Sequence, residues 1–357
     1  MTRIYKYKAW LALAAALLLA GACAGSAPVA DRDEATAAAT DVAPLVWPKP
    51  PAPARIRYLR SVTGPSDWGI SRSFLRRLAD ALSGRGEGIF EQPSAVVERD
   101  GVLYVADPGA QSLWILDAPR SRFVRVMHVG EQALVSPVAL ALGPDGAVFV
   151  ADTSLKTVFQ LDREGSLIRS FATQGLERPA GIVWDEPSHR LYVLDSLRHR
   201  IAVFEANGTL VRNMGESGNG EGQFNHPTHL ALDASGVLLV TDALNFRIQF
   251  IDRDGRFLRK FGKAGNGAGD FAAPKGIAAD SEGHYYVVDA LFDAVQIFDQ
   301  QGRLLLAFGE HGSQPGQFQL PRGIFISADD KVYVADAYNR RVQVFLGAIA
   351  TGKELPK

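Results

Sequence analysis

Six copies of a proline-led signature, set 44, 42, 48, 47 and 47 residues apart, constrain this chain more than any other feature of its 357 residues. In each copy proline is followed by a small or polar residue, then a mostly small one, then an aliphatic. The copies are Pro93-Ser94-Ala95-Val96, Pro137-Val138-Ala139-Leu140, Pro179-Ala180-Gly181-Ile182, Pro227-Thr228-His229-Leu230, Pro274-Lys275-Gly276-Ile277 and Pro321-Arg322-Gly323-Ile324. A unit this short cannot bury its own apolar face, so copies must stack on their neighbours.

A second marker, a β-rich run closing on aspartate, also counts six: Tyr104-Val105-Ala106-Asp107, Phe149-Val150-Ala151-Asp152, Tyr192-Val193-Leu194-Asp195, Leu239-Val240-Thr241-Asp242, Val287-Val288-Asp289 and Tyr333-Val334-Ala335-Asp336. Turns such as Pro144-Asp145-Gly146 precede it. A polar loop, a third run such as Arg247-Ile248-Gln249-Phe250-Ile251, a turn at Arg253-Asp254-Gly255 and a fourth run at Phe257-Leu258-Arg259-Lys260-Phe261 follow it. These turn residues accept positive φ or pre-form a turn. Four short antiparallel strands per roughly 40–50 residues make a propeller blade. The expected fold is all-β, a six-bladed β-propeller.

The units resemble NHL repeats, most plainly Gln317-Phe318-Gln319-Leu320-Pro321-Arg322-Gly323-Ile324 leading to Val334-Ala335-Asp336-Ala337-Tyr338-Asn339-Arg340-Arg341-Val342-Gln343-Val344-Phe345. The resemblance covers 91–346 and is weaker in the first three units. The sixth unit ends near Leu346, after its third strand. Residues 55–63, Arg55-Ile56-Arg57-Tyr58-Leu59-Arg60-Ser61-Val62-Thr63, match the fourth-strand pattern of Gly302 to Phe308. This predicts that the N-terminal segment closes the ring and covers an edge that would otherwise invite aggregation; a loose extra strand is the alternative. Within the interruption at 66–90, Phe74, Leu75, Leu78 and Leu82 lie at helical spacing before Ser83-Gly84. They predict one short amphipathic helix over 71–82, packed on the propeller or docking a partner.

Arg3, Lys6 and Lys8 followed by the apolar run Ala9–Ala20 have the form of a secretory signal over residues 1–22, too short to span a membrane. Ala20-Gly21-Ala22-Cys23 resembles the bacterial lipobox, although Leu19 stands one place earlier than the consensus leucine. That resemblance implies diacylation of the Cys23 thiol (palmitate among the acyl chains) and acylation of the new amino terminus; an ordinary cleavage site beside a chance cysteine is the alternative. Several acyl chains anchor a protein stably. Ala24, where diderm sorting places Asp for inner-membrane retention, implies the outer membrane. Residues 23–54, rich in Ala, Thr, Asp and Pro, read as a tether, stiffest at Trp47-Pro48-Lys49-Pro50-Pro51-Ala52-Pro53-Ala54, or as a proline-recognition ligand. Residues 347–357 read as a tail.

Cys23 is the only cysteine, which excludes an internal disulfide and a cysteine metal cluster. Loss of 1–22 removes three basic groups and no acidic one, taking the formal charge from −1 to −4. No basic face suggests a nucleic-acid partner.

In such a ring the loop entering the first strand and the loop after the second share one face, so each marker Pro and Asp gathers near one mouth of the central channel. The aspartates suggest a ring of carboxylates, or local turn caps paired with Arg200, Arg247 and Arg341. His226, His229, Lys275 and Arg322 fall on one side of the mouth, an anion seat or a solvated rim. The expected role is a membrane-tethered envelope scaffold binding a protein, peptide or glycan, with no cofactor. The alternative is a metal-dependent lyase or hydrolase. Peptidyl-hydroxyglycine amidating lyases share this type of propeller and hold zinc through three histidines, for which His199, His226 and His229 are the candidates here. Metal-dependent propeller lactonases need carboxylate and amide ligands aimed into the channel, whereas the Asp and Asn residues here lie in consensus loops. Gly262 to Gly269 joins strand to strand and lacks the helix N-terminus of a phosphate loop.

Overall fold

Runs of β-branched and aromatic residues separated by tight turns pair with their immediate sequence neighbours, since each turn returns the chain antiparallel at once. The computed structural model describes residues 44–70, 89–171 and 175–347. Blade five is representative, its strands Pro274–Ala279, Tyr285–Asp289, Ala294–Phe298 and Leu304–Phe308 lying in sequence order from the channel outward. Blades one to four repeat this order, beginning at Ala95, Pro137, Pro179 and His229. Helical structure among the described residues is limited to three short 3-10 turns.

Blade six closes the ring as expected. Its inner strands Ile324–Ile326, Lys331–Asp336 and Arg341–Gly347 are completed by Ile56–Val62, in register from Ile56 opposite Gly347 to Val62 opposite Val342. Val46–Trp47, expected to be part of the tether running through residue 54, instead forms a fifth strand, with Val46 opposite Arg57 and Trp47 opposite Ile56. Apolar burial outweighs the local proline content: the Trp47 ring lies 5.8 Å from Phe308 and 5.9 Å from Phe345. The signal, Cys23 and the 71–82 helix lie outside the described residues.

The core is six clusters, one at each junction between blades. The closing junction packs Val62, Tyr333, Val342 and Val344 of blade six on Val96, Leu103 and Trp114 of blade one. At the inner ends the glycines of the proline signatures have a steric cause. A Cβ on Gly276 would come within 2.7 Å of the Arg322 carbonyl oxygen, and one on Gly323 within 2.5 Å of that of Ser94. Neighbouring first strands therefore touch backbone to backbone around the mouth.

Candidate functional site

The six marker aspartates are consumed inside the blades. Asp107, Asp152, Asp195, Asp242, Asp289 and Asp336 have no exposed surface. Each accepts backbone N–H groups from the loop that leads into its own first strand, as Asp289 does from Ala272 at 2.8 Å and Ala273 at 3.0 Å, and Asp195 from Arg178 at 2.9 Å. In blades four and six an arginine joins them: Arg247 donates to Asp242 at 2.7 Å and Arg341 to Asp336 at 2.8 Å. Arg200 stands 3.8 Å from Asp195. The carboxylates bolt loop to strand and form no ring facing the channel.

With those charges turned inward, the residue after each marker proline faces the mouth. Ser94, Val138, Ala180, Thr228, Lys275 and Arg322 all line one cavity of about 400 Å³. His229 lines it too, with Thr153, Arg178, Ala290, Leu320 and Tyr338. No Asp or Glu is among these residues, and among the described residues Arg178, Lys275 and Arg322 make no ion pair. Below the mouth runs a channel of about 260 Å³, walled by small and aliphatic side chains such as Val96, Ile182, Leu230 and Ile277, with His229 its one ionisable lining residue.

The electrostatics follow from this geometry. Burial first, then the positive charges of Lys275 and Arg322, push the His229 pKa from 6.5 down to about 3, so its imidazole is neutral at physiological pH. Burial also lowers the pKa of Lys275, helped by Arg322 and Arg178 and opposed by Asp289. Three buried polar atoms on lining residues, Thr153 Oγ1, Thr228 Oγ1 and His229 Nδ1, have no hydrogen-bond partner within the protein. Unsatisfied buried groups are costly, and these three face one cavity whose contents can reach them.

Of the four mouth residues expected from sequence, His229, Lys275 and Arg322 come together and His226 does not. His226 is held in the rim: its backbone N–H donates to His199 Nδ1 at 3.1 Å, its ring nitrogen pairs with Asn225 Oδ1 at 3.1 Å, and its ring meets that of His199 edge-on at 4.7 Å. His199, His226 and His229 do not gather as a metal-holding set, nor do any three His, Cys, Asp or Glu among the described residues. Sequence reasoning missed Arg178 and Tyr338. The signal for Arg178 is its place directly before Pro179, the place His226 holds before Pro227.

The family model of the NHL repeat matches residues 318–345. NHL repeat-containing protein 2 of Bos taurus is 23% identical over 212 residues, a match covering 44% of this chain and 29% of that protein, so the chain spans less than a third of the length of this relative. A streptogramin B lyase structure has 17% identity and a TM-score of 0.56, with 72% of this chain and 93% of that one covered. An auxiliary nutrient binding protein of Bacteroides thetaiotaomicron has 14% identity and a TM-score of 0.56, with 72% and 70% covered. A lyase and a binding protein on one scaffold mean that the shared property is the fold. Blade architecture, ring closure and the matched segment identify the chain as a six-bladed β-propeller carrying an NHL repeat in its sixth blade.

Proposed function

We propose that this propeller is a membrane-tethered binding platform of the cell envelope, engaging a protein, peptide or glycan through its loop face and seating an anionic group of that partner at the channel mouth. The observation that carries the reading is the convergence of Arg178, Lys275 and Arg322 on a cavity with no carboxylate among its lining residues. Lys275 and Arg322 are half-buried and make no ion pair among the described residues, and cations so placed favour an incoming anion more than surface cations do; Arg178 adds an exposed positive charge at the rim. The unpartnered Thr153, Thr228 and His229 atoms add donors and acceptors at the same place. Tethering is read from the lipobox-like run before Cys23, with the outer membrane as its location.

Capture from envelope extract on the wild-type protein and on the Lys275→Glu/Arg322→Glu variant tests the mouth. Partners identified by mass spectrometry are expected on the first and lost on the second; equal capture on both sinks the assignment. For the anchor, Cys23→Ser is expected to abolish incorporation of labelled palmitate and to release the protein from the membrane fraction.

A further inference from the structure

The loop after the second strand differs between the blades. Two places after the marker aspartate, blades three to six carry Leu197, Leu244, Leu291 and Tyr338, whereas blades one and two carry Gly109 and Ser154. The four large apolar side chains are 48%, 52%, 65% and 52% exposed, although they belong to the types a monomer ordinarily buries. Tyr338 lines the mouth cavity, as do Ala290 and Thr153, each one place after its marker aspartate. The loops of Leu291 and Tyr338 thus border the mouth directly, and the repeat puts Leu197 and Leu244 at the equivalent loop positions of blades three and four, so the four apolar side chains fall on consecutive blades, with none at that position on blades one and two. Other exposed apolar residues, such as Ile168, Leu258 and Leu305, sit on outer strands of separate blades, away from the mouth.

We propose that this face docks a polypeptide segment that places one carboxylate between Lys275 and Arg322 and rests apolar side chains on Leu197, Leu244, Leu291 and Tyr338. The inference rests on the reading of the mouth as an anion seat and names its occupant. Charge complementarity sets the sign: the cavity offers Arg178, Lys275, Arg322 and unpartnered Thr hydroxyls, with no acidic lining residue. Depth sets the class. Lys275 and Arg322 are half-buried within the cavity, inside an arc of residues that are half or more exposed. A bilayer presents its headgroups in a plane and would meet the leucines first, whereas a side chain projecting from a polypeptide reaches the recessed cations. An anchoring group in a pocket, enclosed by apolar contacts that exclude water, is the usual anatomy of a binding hot spot.

A phage-displayed dodecapeptide library selected on the immobilised full chain tests this, with vesicles of phosphatidylglycerol and phosphatidylethanolamine as a second arm. Enriched peptides are expected to share an acidic residue among apolar ones. Their synthetic forms should bind about tenfold or more weakly to Lys275→Ala/Arg322→Ala and to Leu244→Ser/Leu291→Ser. Both variants change solvent-facing or half-exposed groups and should keep the wild-type circular dichroism spectrum and a cooperative melting transition. Peptides indifferent to Lys275 and Arg322 would overturn the anion seat itself. Peptides that need both cations but ignore the leucines, or that lack apolar residues, would leave the anion seat standing and overturn the docking arc. Vesicle binding lost in the leucine variant, with no peptide enriched, would assign the face to lipid instead, and no binding in either arm would also overturn the proposal.

Discussion

Arg341 donates its Nε–H to Asp336 at 2.8 Å, and neither side chain has more than 9% of its surface exposed. The same guanidinium holds the glycine-rich approach loop through the carbonyl oxygens of Ser313, Gln314 and Gln317. Removing one member of a buried pair leaves the other charge uncompensated, so Arg341→Met is expected to cost about 3–5 kcal/mol. The Arg303–Asp299 pair is shorter, 2.6 Å, but its arginine side chain is 76% exposed. Arg303→Met should therefore cost no more than about 1 kcal/mol. Urea midpoints of the two variants check the contrast; equal losses would mean that burial does not govern these pairs.

The outermost strand of blade six, Val46–Trp47, fits against a glycine. Gly316 adopts φ +77°, and a Cβ there would meet the Trp47 ring at 2.5 Å. Gly316→Ala is expected to destabilise by about 1 kcal/mol or more, through backbone strain and this clash together. In Trp47→Ala the clash with the ring is gone, leaving the strain and the closer approach to Leu45 Cδ2 at 2.8 Å. The double variant should then lose less than the sum of the single ones, a non-additivity measurable by thermal melting.

His229 makes stability depend on pH in a defined direction. Its folded pKa of about 3 lies below the ordinary 6.5, so between those values the unfolded chain binds more protons than the folded one. Stability therefore falls as pH drops through 6.5 toward 3, by about 2 kcal/mol at about pH 5. In His229→Ala this part of the acid limb should flatten, as seen in urea midpoints taken across the range. An unchanged limb would show that His229 takes up its proton equally in the folded and unfolded chain, so that burial does not shift it.

How much of this was legible in sequence follows from which features repeat. The proline signature marks strand entry and the aspartate marks a loop bolt in every blade, so the ring, its closing strand and the mouth positions of Lys275 and Arg322 could be counted off. Trp47 could not: a two-residue strand has no periodicity, and the prolines around it signal a spacer. His226 was misplaced for a geometric reason. Arg178 and His226 both precede a marker proline, yet His226 is turned to its neighbours, its backbone N–H donating to His199 Nδ1 and its ring nitrogen pairing with Asn225 Oδ1. The arc from Leu197 to Tyr338 went unread because it departs from polar loop character without forming any named motif.

Lys275 offers a separation of structural from binding roles. Burial and the neighbouring Arg322 and Arg178 disfavour its charged form, while Asp289 favours it, with a net lowering of its pKa from 10.5. A lysine whose folded pKa is depressed weakens the fold at neutral pH, and that penalty disappears as pH rises toward 10.5. Lys275→Met keeps the aliphatic stem and removes the charge, so it is expected to raise stability by about 0.5–1 kcal/mol while weakening capture of an anionic partner. In the wild type that capture should fade on the alkaline side, at a pH below 10.5, as the ammonium loses its proton. Gains in urea midpoint paired with loss of capture would identify Lys275 as a charge kept at the expense of stability. A loss of stability in Lys275→Met would instead make it a structural residue and remove it from the anion seat.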